Sequence, residues 1–146
     1  MEHRAGDRRL VMRVLLRWRE MAGGRGMPRR SQIDPQHFGQ DWANCLMIDI
    51  DPEPRRSRLA FIGERLRDPT WPTFDRQCIV ECAEHSLLHS AASPIDRITA
   101  AREELGEGVG LHVGTPVLYR SILLPLSEDG RRIDGALGAV NCREIA

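Results

Sequence analysis

The sequence predicts one α+β domain in which a five-stranded antiparallel sheet carries helices on one face and an amphipathic helix at its N-terminus. Two observations predict this class: the chain opens with an amphipathic helical pattern, and two β-rich segments flank a helical middle. The length of 146 residues, with 41% hydrophobic and 29% charged residues, suits one folded domain. We expect residues 1–26 to form a flanking helix and residues 27–146 to form the sheet domain.

The first predicted element is a helix from Arg8 to Ala22. Apolar residues recur there at the spacing of one helical face, while arginines occupy the other side. Gly23 and Gly24 end the helix, because glycine tolerates the positive φ that is common at helix C-termini. The apolar face is expected to pack on the chain's own sheet or to pair with a second copy, rather than to lie on a membrane. The residues expected in that contact are Leu10, Val14, Trp18 and Met21.

The first β-hairpin is predicted between residues 45 and 63. Residues 45–51 alternate apolar and polar side chains, as a half-buried strand does, and two prolines stop that strand. Residues 58–63 form a second short apolar run, close enough in sequence to pair antiparallel with the first. Upstream, Asp34 is placed to cap a short helical turn that has Pro35 in its first position.

The helical middle and the second hairpin complete the pattern. Residues 78–92 contain no proline or glycine and are rich in Glu, Leu and Ala, which predicts a helix, and residues 94–105 predict another. Residues 117–124 and 133–142 predict two strands joined by a turn at Glu128-Asp129-Gly130. Residues 109–113 are expected to add an edge strand.

Two motifs resemble a family of short, stand-alone bacterial PAS-like domain proteins. The first is GGRGMPRR at residues 23–30, followed by Ile33-Asp34-Pro35. The second is LYRSILLPL at residues 118–126, followed by Asp129-Gly130 and by Ile133-Asp134-Gly135. The resemblance implies a PAS fold, in which an antiparallel sheet curves around a small pocket roofed by helices.

The segment DPTWPTF at residues 68–74 departs from that family's pattern. A simpler glycine-containing turn is expected there, whereas two prolines predict an irregular loop that carries aromatic side chains. Trp71, Phe74 and Tyr119 could line a small-molecule pocket, with Arg120 or Asn141 as its polar anchor. The alternative is that these aromatic residues pack in the core.

A Cys/His pattern offers a second candidate site. Cys78, Cys82, His85 and His89 would share one face if the predicted helix spans them all. Two of them one turn apart could hold a metal ion, and the resemblance nominates His85 or His89 as an axial haem ligand, as in haem-binding PAS domains. The simpler interpretation is a helix surface turned away from the core, with ordinary thiols and no cofactor.

Composition and motifs exclude several function classes. Because 21 arginines balance 21 acidic residues, no overall field favours nucleic acid or anionic lipid. No apolar run is long enough to span a membrane, no secretory leader is recognised, and no nucleophile motif indicates an enzyme. We therefore expect a cytoplasmic, non-catalytic, homodimeric sensory module that binds a small ligand or a signalling protein. The alternatives are a haem or metal sensor and a ligand-free interaction adaptor.

Overall fold

One five-stranded antiparallel sheet forms the centre of the protein. The computed structural model describes residues 8–68, 78–79, 82, 86–100 and 104–145. The strands are β1 (Cys45–Asp49), β2 (Arg58–Ile62), β3 (Glu104–His112), β4 (Thr115–Leu126) and β5 (Gly135–Glu144), in the order β2-β1-β5-β4-β3. The β1–β5 pairing joins the two hairpins, which are far apart in the chain. The predicted sheet is thereby confirmed.

The N-terminal helix α1 spans Arg8–Ala22, as its apolar periodicity predicts. It packs against β4 and β5, and Trp18 Nε1 donates a buried hydrogen bond of 2.9 Å to the Pro125 carbonyl oxygen. We call the sheet face that α1 contacts the outer face. The strand side chains buried there are Cys45, Met47, Ile122, Leu124, Leu126, Leu137 and Ala139. The expected division into residues 1–26 and 27–146 stays a prediction.

The opposite, inner face is covered by helix α2 (Leu87–Ala92) and by the 3-10 segment Ser93–Ala100. The prediction of one helix over residues 78–92 is wrong. Ile79 N donates to the Ser57 carbonyl oxygen and Cys78 forms a β-bridge with Arg58, so the chain runs beside β2 there. Helix α2 begins after Ser86, whose hydroxyl accepts from the His89 backbone amide and caps it.

Strand β3 begins earlier than the sequence predicts. The sequence predicts a helix over residues 94–105 and an edge strand over residues 109–113, but Gly106, Gly108 and Gly110 belong to a strand, because residues 104–112 pair with β4 throughout. The glycines lie opposite inner-face residues of β4, and a Cβ on Gly108 would come within 3.4 Å of the Tyr119 ring. The missing side chains therefore leave room for that ring.

The two motifs that carry the family resemblance meet in space. The guanidinium of Arg25 donates to the carbonyl oxygens of Met27, Ser127 and Glu128 at 3.2–3.4 Å. Ser127 N in turn donates to the Pro28 carbonyl oxygen at 3.0 Å. Hydrogen bonds thus connect the segment that follows α1 to the turn between β4 and β5.

Candidate interaction surface

The residues predicted to line a ligand pocket do not share one face of the sheet. Tyr119 packs against the inner core, whereas its neighbour Arg120 lies on the outer side, and Asn141 pairs with Arg120 across the β4–β5 ladder. Trp71 and Phe74 lie outside the described residues. The assignment of these five residues to a ligand stays a prediction, and the three that are described divide between two faces.

A small cavity lies on the inner side, beside the start of α2. Its lining includes Asp68, Cys82, Ser86 and His112, and its volume is about 20 Å³. A space of that size holds about one water molecule. This cavity is therefore too small for a ligand of cofactor size.

The Cys/His pattern does not form the helical face that its spacing suggested. Cys78 lies in a β-bridge beside β2, Cys82 lies in a bend, and His89 lies in α2. Cys78 and Cys82 are also buried, not turned away from the core, and His85 is not among the described residues. No group of three or more potential metal ligands occurs within the described ranges. The geometric basis for a haem or metal site on one helix is therefore absent.

Two of the thiols lie where ionisation is unfavourable. Burial, and then the nearby Asp41 carboxylate, raise the pKa of Cys45 to about 12, and its Sγ donates to the Asp41 carbonyl oxygen. Burial also raises the pKa of Cys142 above its ordinary value. These environments oppose a nucleophilic or metal-binding thiolate at either position.

The apolar face of α1 is turned to the chain's own sheet. Leu10, Val14 and Trp18 are buried in the outer-face core, and Met21 packs against it. A seam between two protomers cannot use these side chains while they cover β4 and β5.

Within the described part of the chain, no helix is long and apolar enough to cross a membrane.

A groove opens between α1 and β3 on the outer face. Its lining includes Val11 and Met12 from the helix and Leu105 and Glu107 from the strand, and its volume is about 390 Å³. It exists because α1 packs over β4 and β5 and stops short of β3, the edge strand. We call it the outer groove.

Exposed apolar side chains surround the outer groove. Leu105 in its lining and Val109 on the same side of β3 are 66% and 62% exposed, and Met12 on α1 is 42% exposed. Leu16, which is 53% exposed, lines a different groove on the other flank of α1. One ion pair lies within the groove, where Arg120 Nη2 is 3.3 Å from Glu107 Oε2. Apolar side chains grouped in this way mark a binding surface more often than isolated ones do.

A larger groove, of about 670 Å³, lies on the other flank of α1. Its charged groups largely neutralise one another: Arg13 makes a bidentate pair with Asp41, with both N–O distances at 2.8 Å, and Arg17 pairs with Glu20 at 3.1 Å. Paired charges of both signs give this groove no clear preference for a ligand.

Comparisons with solved structures find weak overlaps with LOV and PAS domains. The LOV domain of the blue-light photoreceptor Aureochrome1 has a TM-score of 0.49 at 11% identity, covering 70% of this chain and 88% of its own. The Rhodobacter sphaeroides LOV protein has a TM-score of 0.45 at 11% identity, covering 93% and 68%. The PAS domain of Bordetella pertussis BvgS has 0.42 at 12% identity, covering 67% and 74%. No protein-family model matches the chain, and no curated protein matches it significantly.

The sheet itself decides the fold. Two hairpins distant in the chain form one five-stranded antiparallel sheet, and the helical segments that connect them roof its inner face. The fold is PAS-like. On this PAS-like sheet, the inner face is packed and the outer groove is open.

Sequence reasoning did not find the outer groove. The missed signal was the alternation of Leu105, Val109 and Leu111 with glycine, which is a strand with one apolar face. Because the predicted helix extends to residue 105 and the predicted edge strand covers only residues 109–113, Leu105 was not assigned to a strand.

Proposed function

We propose that this chain is a non-catalytic, PAS-like sensory module that works by binding a protein partner at its outer groove. The observation that carries the proposal is that Leu105 on β3 and Met12 on α1 line one groove and remain exposed, with Val109 exposed on the same side of β3. When a partner covers large exposed apolar side chains, it removes apolar surface from water, which lowers the free energy of the complex. The charges of Glu107 and Arg120 are already paired within the groove, so the contact with a partner is chiefly apolar.

The packed inner face supports a protein partner over a small molecule. Leu46, Ile48 and Leu123 are fully buried there, and the cavity formed by the described residues is about 20 Å³. Sites for drug-sized ligands usually need about 300–1,000 Å³. A ligand in this inner cavity would therefore require a rearrangement of these packed side chains.

We place the module in the cytoplasm. All four cysteines fall within the described residues, and none forms a disulfide. Reduced thiols are the ordinary state of cysteine in that compartment. Three of these four thiols are buried in the folded chain. The zero formal charge gives no reason to expect a nucleic-acid partner.

The test is photo-crosslinking in cells of the source organism. A benzophenone amino acid in place of Val109 is expected to give a discrete covalent adduct with a protein, because that position lies at the bound surface. The same amino acid in place of Arg55, an exposed residue of the loop between β1 and β2, is the matched control.

Native mass spectrometry of the purified protein completes the experiment. A discrete adduct from position 109, together with a purified chain of unmodified mass, supports partner binding. The proposal fails if position 109 gives no adduct beyond that of the control, and a retained small molecule would then assign the function to ligand binding.

A further inference from the structure

Strand β3 is a long and regular edge of the sheet. Its nine residues pair with β4 one for one, without a bulge. It contains no proline, lysine or arginine, and these are residues that proteins often place on an edge strand to prevent pairing with other chains. Its two glutamates pair within the chain, Glu104 with Arg97 and Glu107 with Arg120. The edge therefore lacks the usual protection against strand addition.

The turn between β3 and β4 determines which backbone groups of β3 point away from the sheet. His112 and Thr115 pair on either side of a two-residue turn, so they exchange its closing hydrogen bonds. Hydrogen-bonded pairs alternate along an antiparallel ladder, so the odd-numbered residues of β3 direct their amides and carbonyls away from β4. These residues are Leu105, Glu107, Val109 and Leu111, and all four are exposed.

The chain itself already pairs with one end of this edge. Ser86 forms a parallel β-bridge with Leu111, which places extended backbone beside β3. Among the residues that the structure describes, no bridge reaches Leu105, Glu107 or Val109 from that side. The position of a sixth strand is thus occupied at Leu111 and continues along the rest of β3.

The opposite edge of the sheet is different. Strand β2 has only five residues, and a register shift interrupts its pairing with β1. The chain also covers that edge, because Cys78 bridges Arg58 and Ile79 N donates to the Ser57 carbonyl oxygen at 3.0 Å. Short length, irregular pairing and a covering segment are common ways to protect an edge strand. The contrast between the two edges marks β3 as the edge suited to pairing.

We propose that the outer edge of β3 binds an extended segment of another protein as a sixth strand. The inference rests on the proposed function and specifies the form of its partner. The segment bonds to the outward backbone groups of Leu105, Glu107 and Val109, which adds directional hydrogen bonds to the apolar contact. Because alternate side chains of a strand share one face, every second residue of the segment is apolar and covers Leu105 and Val109.

A second copy of this chain fits the edge less well. When two β3 strands pair antiparallel, the register that joins Leu105 to Val109 places the Glu107 side chains of the two copies directly opposite each other. Like charges in that arrangement are destabilising. The edge is therefore assigned to a different protein.

The test compares two crosslinking positions on β3. A benzophenone amino acid at position 105 and another at position 109, in separate variants, are expected to react with one segment of the partner. The two positions are about 13 Å apart, because a strand rises about 3.3 Å per residue. An extended segment therefore reacts at sites about four residues apart, whereas a helix, which rises about 1.5 Å per residue, reacts at sites about nine residues apart. Mass spectrometry of the crosslinked peptides measures this spacing.

Glu107→Pro tests the backbone contact. It removes one outward amide and leaves the hydrogen bonds between β3 and β4 in place, as proline on an edge strand does. We expect it to lower the yield of the adduct at position 109 about tenfold, because a backbone carbonyl of the partner loses its donor. Glu107→Ala is the matched variant and is expected to lower the yield far less, since it removes the side chain and keeps the amide.

Circular dichroism shows whether both variants fold, and the spacing measurement does not depend on either of them. The inference is overturned if the two positions react about nine residues apart or with separate segments, or if a folded Glu107→Pro variant reacts as Glu107→Ala does. An adduct at position 109 keeps the proposed function in each of these cases. An adduct with this chain itself rejects a different partner, and the absence of any adduct rejects the proposed function as well.

Discussion

At the scale of single residues, Val113 occupies a backbone conformation that its side chain disfavours. Its φ is +51°, and Gly114 follows at +73°, so the two residues form the tight turn between β3 and β4. A β-branched residue in the left-handed region is disfavoured by roughly 1–2 kcal/mol. The Asp68 carboxylate accepts from Val113 N at 2.8 Å and helps to hold the turn.

We expect Val113→Asn to stabilise the protein by about 0.5–1 kcal/mol, because Asn-Gly is the preferred pair in two-residue hairpin turns. Thermal unfolding measures the change as a rise in melting temperature. Val109→Asn, on the same strand but in an ordinary extended conformation, is the control and is not expected to raise it. An unchanged or lower melting temperature for Val113→Asn would show that the turn is unstrained.

Asp129 gives the turn between β4 and β5 a dependence on pH. Its carboxylate accepts from the backbone amides of Arg132 and Arg131 and from the Ser127 hydroxyl, and these bonds lower its pKa below the ordinary 3.8. The ionised form is thus favoured by folding. Its contribution to stability is complete well above pH 3.8 and is lost as the pH falls through the lower, folded-state pKa.

We therefore expect Asp129→Ala to lower the melting temperature at neutral pH and to have progressively less effect below about pH 4. Melting curves of both proteins across the acid range check this. A difference that persists undiminished at the lowest pH at which the fold survives would mean that Asp129 acts through packing and not through its charge.

At the scale of elements, α1 belongs to the folded core. Leu15 and Leu16 are adjacent leucines in this helix, but Leu15 is 5% exposed against the sheet and Leu16 is 53% exposed. We expect Leu15→Ala to destabilise the protein by about 2–5 kcal/mol and Leu16→Ala by less than about 0.5 kcal/mol. Chemical denaturation measures both changes. Equal effects would mean that α1 does not pack as described.

The elements that the sequence predicts well are those whose apolar period is undisturbed. The bounds of α1 follow from its helical spacing, and β1, β2, β4 and β5 follow from short apolar runs. The region after residue 78 has good helical propensity. However, Ile79 N donates a backbone hydrogen bond to the Ser57 carbonyl oxygen, and the helix begins only after its cap, Ser86. A long-range backbone contact decides that segment, and local propensity cannot register it.

At the scale of the whole molecule, Arg25 joins the start of the chain to the far hairpin. Its guanidinium bonds to carbonyl oxygens on both sides of this contact. We expect Arg25→Ala to destabilise the protein by about 1 kcal/mol, because the bonds are long and partly exposed. Arg131→Ala, in the turn between β4 and β5 that Arg25 contacts, is the matched control. Denaturant titration compares the stability of the two variants. Equal losses would assign the effect to surface charge.

The candidate surface could not be predicted because it arises from the relative placement of two elements. The exposed sides of α1 and β3 each look ordinary in sequence, and scattered surface leucines are common. What matters is that α1 crosses β4 and β5 and leaves β3 bare, which depends on tertiary packing. The predicted pocket failed for a related reason, since strand alternation puts Tyr119 and Arg120 on opposite faces.

The low reactivity expected of the native cysteines makes this protein convenient to label at an introduced cysteine. Cys78 and Cys82 are buried, and Cys45 and Cys142 resist ionisation, while maleimides react with thiolates that they can reach. A reporter cysteine in place of Val109 should therefore take a fluorophore or spin label well before the native thiols do. Changes in the signal of that label would then report binding at this surface. The native cysteines would not have to be replaced.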